Sequence, residues 1–350
     1  MTDGALWDLF CHTRERAPGL VDRYGRVPSF AGAGQPPFEP VVSRRLIELG
    51  FRPRYPNDAP FAVCLSHDID ALITSPRERA GSMRRGQIPM GLRGVLGLFG
   101  RKVDPRYAVD RLLKVEDALG VKAAYYFQAL VPGDEDFNYA LDEVADQWAA
   151  VRDQGHEIGL HGGHRAHAQA EVLAAERDRM HRATGLAPEG YRNHFLRFRL
   201  PATWKLLAEQ GFVYDTTYGW SDLAGFRNGM CHPFRPTDPI TGRREGILEI
   251  PLIVMDATFM FNMKLDETTA WELCTRLMDR AQENRGVLTV LWHNNYMHTA
   301  WGALYERIVR RAREAGAWFA TGAELAAHWS GSGELARMEA VMDQHLKPAS

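Results

Sequence analysis

FAVCLSHDID, residues 61–70, reads as a β-rich run that closes on two aspartates spaced by one residue. Side chains alternate along an extended chain, so Asp68 and Asp70 project to the same side. One carboxylate can then hold a metal while the other accepts a proton from water; the plainer alternative is a turn in which both cap loop amides. Two later stretches have the same form, a strand-like run closing on acid/base residues: HEIGLHGGHRAH (156–167) and VLTVLWHNN (287–295). In a chain that alternates strands and helices, strand C-termini gather on one face, so Asp68, Asp70, His161, His164 and His293 are expected to converge. Carboxylates and imidazoles together point to a metal-assisted hydrolase.

The rhythm around these stretches supports that architecture. Strand-like runs fall at 61–67, 122–130, 157–161, 190–195, 212–217, 247–256, 287–293 and 317–320. Amphipathic stretches near 105–119, 138–154, 168–184, 201–210, 266–284 and 301–315 separate them. About seven strand–helix units in a row favour a parallel barrel over an antiparallel sandwich. Residues 1–60, rich in proline and glycine from about 27 onward, read as an N-terminal extension packed on a main domain at 61–330, with a C-terminal helix or tail at 331–350.

Segment 71–103 breaks the rhythm. It contains six glycines and seven basic residues against the single acid Glu78. It reads as a solvated basic loop, as a clamp for an anionic group such as phosphate, or as a peripheral contact with a membrane surface.

Composition narrows the field. The chain has 350 residues, 45% apolar and 25% charged, with a net charge of -2. That balance gives no support to nucleic-acid binding through a general basic surface. Cys11, Cys64, Cys231 and Cys274 are scattered, form no CxxC pair, and read as reduced thiols. The N-terminal stretch lacks the pattern of a signal peptide, and no segment has the eighteen or so apolar residues of a membrane span, so a cytoplasmic protein is expected.

Three further readings concern the site. HGGHRAH brings three imidazoles within seven residues; His161 and His164 share a face if a helix starts there, while His167 lies farther round. WHNN ends a run typical of a buried parallel strand, where His293 can serve as a general acid or as a satisfied core histidine. Trp292 reads as wall or core, and Asn294 and Asn295 as substrate-orienting groups or a helix cap. In GYRNHFLRFR (190–199), a buried Arg192 needs an acceptor, and Asp68 would supply one.

In this order the motifs resemble those of the polysaccharide deacetylases of the NodB-homology fold, carbohydrate esterase family four. The resemblance spans about 60–325 and implies an α/β fold, a distorted (β/α)7 barrel, that removes acetyl groups from sugars with a divalent metal, commonly zinc. SHDID is similar to the first motif, in a variant whose aspartates are one residue apart, which implies Asp68 as base and Asp70 as a ligand. HEIGLHGGHRAH is similar to the second, implying His161 and a further histidine as ligands. Where the family places its second histidine this chain has Arg165, so His164 is the nearest substitute, with His167 and His194 as alternatives. GYRNHF is similar to the third motif, implying that Arg192 contacts Asp68. LEIPLIVMD (248–256) is similar to the fourth, ending at Asp256, and VLWHNN to the fifth, implying His293 as acid. Substrate contacts are expected from His194, Trp292, Asn294 and Asp256, and more loosely from His232 and Arg235 in GFRNGMCHPFRP (225–236), which resembles a feature of a cytosolic branch concerned with glycan biosynthesis. The implied partner is an acetylated sugar or glycan precursor, with a phosphate-bearing one favoured by the basic loop. The alternatives are a sugar-binding pseudoenzyme and a metal-dependent amidase acting on a non-sugar amide.

Overall fold

The computed structural model describes residues 1–16, 19–32, 37–74 and 102–347. The central strands form because their sequences are apolar on both sides. Strand β1 (Ala62–Ile69) is buried at every position, as are β4 (Ala124–Gln128) and β10 (Val287–Leu291), the state expected of parallel strands covered on both faces. Two short strands, β2 (Ile73–Thr74) and β3 (Lys102–Val103), form a separate antiparallel pair.

The main sheet also contains β5 (Glu157–Gly162), β6 (Gly190–Asn193), β7 (Tyr214–Asp215), β8 (Leu248–Glu249), β9 (Val254–Met255) and β11 (Trp318–Phe319). Its order is β8-β7-β6-β5-β4-β1-β10-β9, with β11 also on β1, and every pairing is parallel. The edges of this sheet, β8 and β9, are joined by residues 250–253 alone. Eight flat strands would separate those edges by roughly 34 Å, at about 4.8 Å per strand. Five Cα steps reach at most about 18 Å, so the sheet has to curl until its edges approach. The result is a distorted α/β barrel, as the sequence leads one to expect. The run at 247–256 is therefore two strands on opposite edges, divided at Pro251.

Helices coat the outside, among them α1 (Asp3–Phe10), α2 (Ser29–Gly32), α3 (Val41–Glu48), α4 (Asp110–Leu119), α5 (Ala145–Asp153) and α6 (Ala170–Thr184). Their ends follow from local chemistry. Helix α4 stops at Gly120, whose φ of 63° is the left-handed turn glycine adopts without steric cost. Later, α7 (Ala202–Glu209) precedes α8 (Glu267–Glu283), where Asp266 caps the amide of Thr269 at 2.7 Å. Helices α9 (Ala300–Glu314), α10 (Gly322–Gly331) and α11 (Glu334–His345) complete the chain.

The N-terminal segment joins the same core through Leu6, Trp7 and Phe10 of α1 and Val42 and Leu46 of α3. All four cysteines are unpaired and buried. Among the described residues no helix is long and apolar enough to cross a membrane. Most of the basic stretch expected to clamp an anion or touch a membrane, residues 75–101, lies outside the described residues.

Candidate active site

Strand alternation builds the site. Ser66 and Asp68 point from β1 into the barrel, where Ser66 Oγ accepts Arg192 Nη2–H at 3.0 Å, while His67 points outward to Glu116 of α4. Neighbouring strands supply the rest in register: Gln128 lies opposite His161, and His161 opposite Arg192. Just beyond the strand ends sit Asp70, His194 and His293.

Asp70 is the hub. Its Oδ1 lies 3.0 Å from His161 Nε2 and 3.4 Å from His194 Nδ1, and its Oδ2 lies 3.5 Å from His293 Nε2. His161 Nδ1 donates to the Arg192 carbonyl at 3.0 Å, which leaves Nε2 as the lone-pair atom of the neutral ring. Asp70 Oδ1 has no hydrogen-bond partner among the described residues. Two lone-pair atoms thus face each other at 3.0 Å, an arrangement that asks for a proton or a cation between them. The ligand atoms of Asp70, His161 and His194 all lie within 4.8 Å of one another, and a carboxylate with two imidazoles is a donor set suited to zinc with an open position.

The electrostatics agree. Loss of water around Asp70 is the largest influence and acts to raise its pKa, yet His194 and His161 hold it well below the usual carboxylate range. Burial likewise opposes protonation of His161, but Asp68 and Asp70 raise its pKa. The pocket draws positive charge.

Asp68 sits beside this group, its Oδ2 3.7 Å from His161 Nε2 and its Oδ1 3.6 Å from Arg192 Nη1. Arg192 is fully buried, and its Nη2 also donates to Thr216 Oγ1 at 3.3 Å. Across the pocket His293 Nδ1 lies 2.6 Å from Asp256 Oδ1. Burial works against its charge, but Asp256 and then the more distant Asp70 and Asp68 push its pKa up to about 10.

Several residues expected in the site lie elsewhere. His164 turns to Asp136, with Nε2 2.6 Å from its Oδ2, and belongs to a neighbouring cluster of Asp136, His164 and His194. A turn over 164–168 follows β5, with no helix until Ala170, so His164 does not stack on His161. His167 is buried, and burial lowers its pKa to about 4. Trp292 is fully buried against Trp301 and Tyr305 and does not line the cavity, because strand alternation directs it away from His293. Asn294 is used by the fold: its Nδ2 donates to the carbonyls of Ala71, at 3.0 Å, and Tyr107. Asp256, fully buried, orients His293 and does not face the cavity. His232 is buried on the Asn284 carbonyl, and Arg235 pairs with Glu339 of α11, so neither reaches the site.

Other contributors carried no motif. Gln128 Nε2 lies 2.7 Å from His194 Nδ1, and Asp136, in the DED of 134–136, comes from a turn in the loop after β4. The glycines of HGGH matter for space: a Cβ at 162 would overlap the Tyr191 ring, and one at 163 would crowd Leu130 and Glu176. After His194 the chain enters a left-handed turn at Phe195 and Leu196, with φ of 57° and 52°, a conformation that costs about 1–3 kcal/mol per non-glycine residue unless the surroundings impose it. The extension imposes it: Tyr24 stacks on Phe195 with centroids 4.5 Å apart, and Arg26 Nη1 donates to the Phe195 carbonyl at 2.6 Å.

The cavity holding these groups measures about 360 Å³ and is lined by Asp68, Asp70, His161, His194 and His293 inside and by residues of the extension outside. Among solved structures, one from Mycobacterium smegmatis assigned as a polysaccharide deacetylase is similar at a TM-score of 0.56 and 19% identity, over 80% of this chain and 93% of that one. The PuuE allantoinase is similar at a TM-score of 0.56 and 18% identity, over 90% of this chain and 99% of its own. No protein-family model matches the sequence, and no curated protein matches it. The chain has the NodB-type fold of the polysaccharide deacetylases.

Proposed function

We propose that this chain is a metal-dependent deacetylase that hydrolyses the N-acetyl group of a sugar or glycan precursor. The observation that carries this reading is the 3.0 Å approach of Asp70 Oδ1 and His161 Nε2 inside a cavity that also holds Asp68, His194 and His293. Asp70, His161 and His194 would hold the divalent cation, with zinc the ion best matched to that donor set. When bound it would polarise the acetyl carbonyl and make a water more acidic.

The remaining work falls to side chains. Asp68 takes the proton of the attacking water, and Arg192, 3.6 Å away, fixes its direction. His293 holds Nδ1–H on Asp256 and presents Nε2–H to the cavity, where it protonates the departing nitrogen. The C–O bond forms first, and the C–N bond breaks once the nitrogen has been protonated, giving acetate and a free amine.

A second reading, an amidase for a non-sugar amide, is supported by the similarity to the allantoinase over almost all of that protein. Both are tested by supplying zinc-loaded protein with acetylated sugars and with allantoin. Acetate from sugars alone, lost in Asp68→Asn, is the expected outcome. Turnover of allantoin alone would replace the first reading with the second, and tight sugar binding without turnover would make the chain a binding protein.

A further inference from the structure

The chemistry above uses only the inner end of the cavity. Its outer wall is built by the N-terminal segment, from Arg23, Tyr24 and Arg26. Both guanidinium groups lie over the Tyr24 ring, at 4.7 and 4.8 Å. Arg26 is committed, to Asp22 at 2.7 Å and to the Phe195 carbonyl. Arg197 is tied to the Tyr24 carbonyl at 3.2 Å. Arg23 is different: it is exposed, and among the described residues no carboxylate lies within ion-pair reach of it. Stacking on Tyr24 keeps its planar donor fork oriented and ready for a carboxylate or phosphate. In the same cavity wall two apolar rings remain open to solvent, Phe195 at 37% and Phe261 at 56% exposure. Exposed apolar rings that line a cavity mark a place where a ligand's apolar face rests.

We infer that the outer end of the cavity is a subsite for an anionic substituent of the sugar, a phosphate or a carboxylate, held by Arg23 while the sugar ring lies against Phe195 and Phe261. The inference rests on the reading of the inner end as a deacetylase centre, into which the same sugar would extend its acetamido group. It makes the substrate an acidic acetylated sugar and gives the extension a part in selecting it.

Calorimetric titration of metal-free protein with N-acetylglucosamine, N-acetylglucosamine 6-phosphate and N-acetylmuramic acid tests this without any turnover. The acidic sugars are expected to bind about tenfold or more tightly than the neutral one, as a charge-assisted contact predicts. Preference for the phosphate or for the carboxylate identifies the substituent. Arg23→Ala should bring all three sugars to one affinity, and Arg23→Lys should restore part of the difference. Equal affinities in the unaltered protein, no binding of any of the three, or a preference that survives Arg23→Ala would overturn the subsite. Acetate release by zinc-loaded protein is measured separately: Arg23-dependent binding without release leaves the subsite standing and removes the deacetylase reading.

Discussion

Asp256 grips His293 twice: Oδ1 stands 2.6 Å from the imidazole Nδ1, and Oδ2 accepts the backbone N–H at 2.7 Å. One buried carboxylate thereby fixes both the position of the residue and the charge of its ring. In Asp256→Asn the backbone bond keeps an acceptor, but the anion that holds the imidazolium is gone. The pKa of His293 should fall from about 10 towards the ordinary 6.5. An acid works only below its pKa, so the alkaline limb of turnover should move down by some units. Turnover at pH 8 should fall roughly 30-fold, the drop in the protonated fraction of a ring whose pKa moves from about 10 to 6.5. An alkaline limb that stays in place would show that Asp256 does not set the acid.

The choice among histidines is decided by metal content. Asp70→Asn, His161→Ala and His194→Ala are each expected to lose most of the bound divalent ion, whereas His164→Ala, facing Asp136, should retain it. Elemental analysis of the purified, zinc-supplemented proteins measures this directly. Retention in His194→Ala together with loss in His164→Ala would exchange the two assignments.

Asp68 stands apart from the donors yet only 3.7 Å from one of them. Asp68→Asn should therefore keep its metal and lose about 10²–10⁴-fold in turnover. Arg192→Lys, which replaces a buried planar fork with a point charge, should also lower turnover and lower stability as well. Thermal melting separates the two effects, because Asp68→Asn should melt close to the unaltered protein.

His232 offers a pH test away from the site. Burial depresses its pKa to about 4, with Asn284 and Arg285 pulling slightly the other way. The folded state prefers the neutral ring, so this preference is fully present above the unfolded value of about 6.5 and is lost as pH falls towards 4. His232→Phe should fit among Phe51 and Trp329 but forfeit the bond to the Asn284 carbonyl. It should melt lower at pH 7.5 and lose less between pH 6.5 and 4, with turnover unchanged. A changed substrate affinity would return His232 to the list of substrate contacts.

How much of this was legible beforehand follows from physical causes. Strands β1, β5 and β10 could be read because burial in a parallel sheet demands long apolar runs, and the chemistry sits where those runs stop. Arg192 could be read because a buried guanidinium must meet an acceptor. The histidine beside Asp70 could not be chosen, since the helical spacing that favoured His164 supposes a helix where the chain makes a turn. Trp292, Asn294 and Asp256 adjoin or align with reactive groups in sequence, but alternation sends the first into the core and hydrogen bonding binds the others to the fold. Arg23 and Tyr24 lie just ahead of the proline- and glycine-rich stretch, in a segment whose lack of period concealed a cavity wall.

The left-handed turn at Phe195 has one more implication. Its backbone is held by Tyr24 and Arg26, residues more than 160 positions upstream, and it carries the imidazole nearest Asp70 after His161. A fragment beginning at residue 61 would contain every motif of the resemblance and still lack the brace that sets His194. Such a fragment should bind zinc more weakly than the full chain, and adding the missing piece as a separate peptide should recover part of the difference.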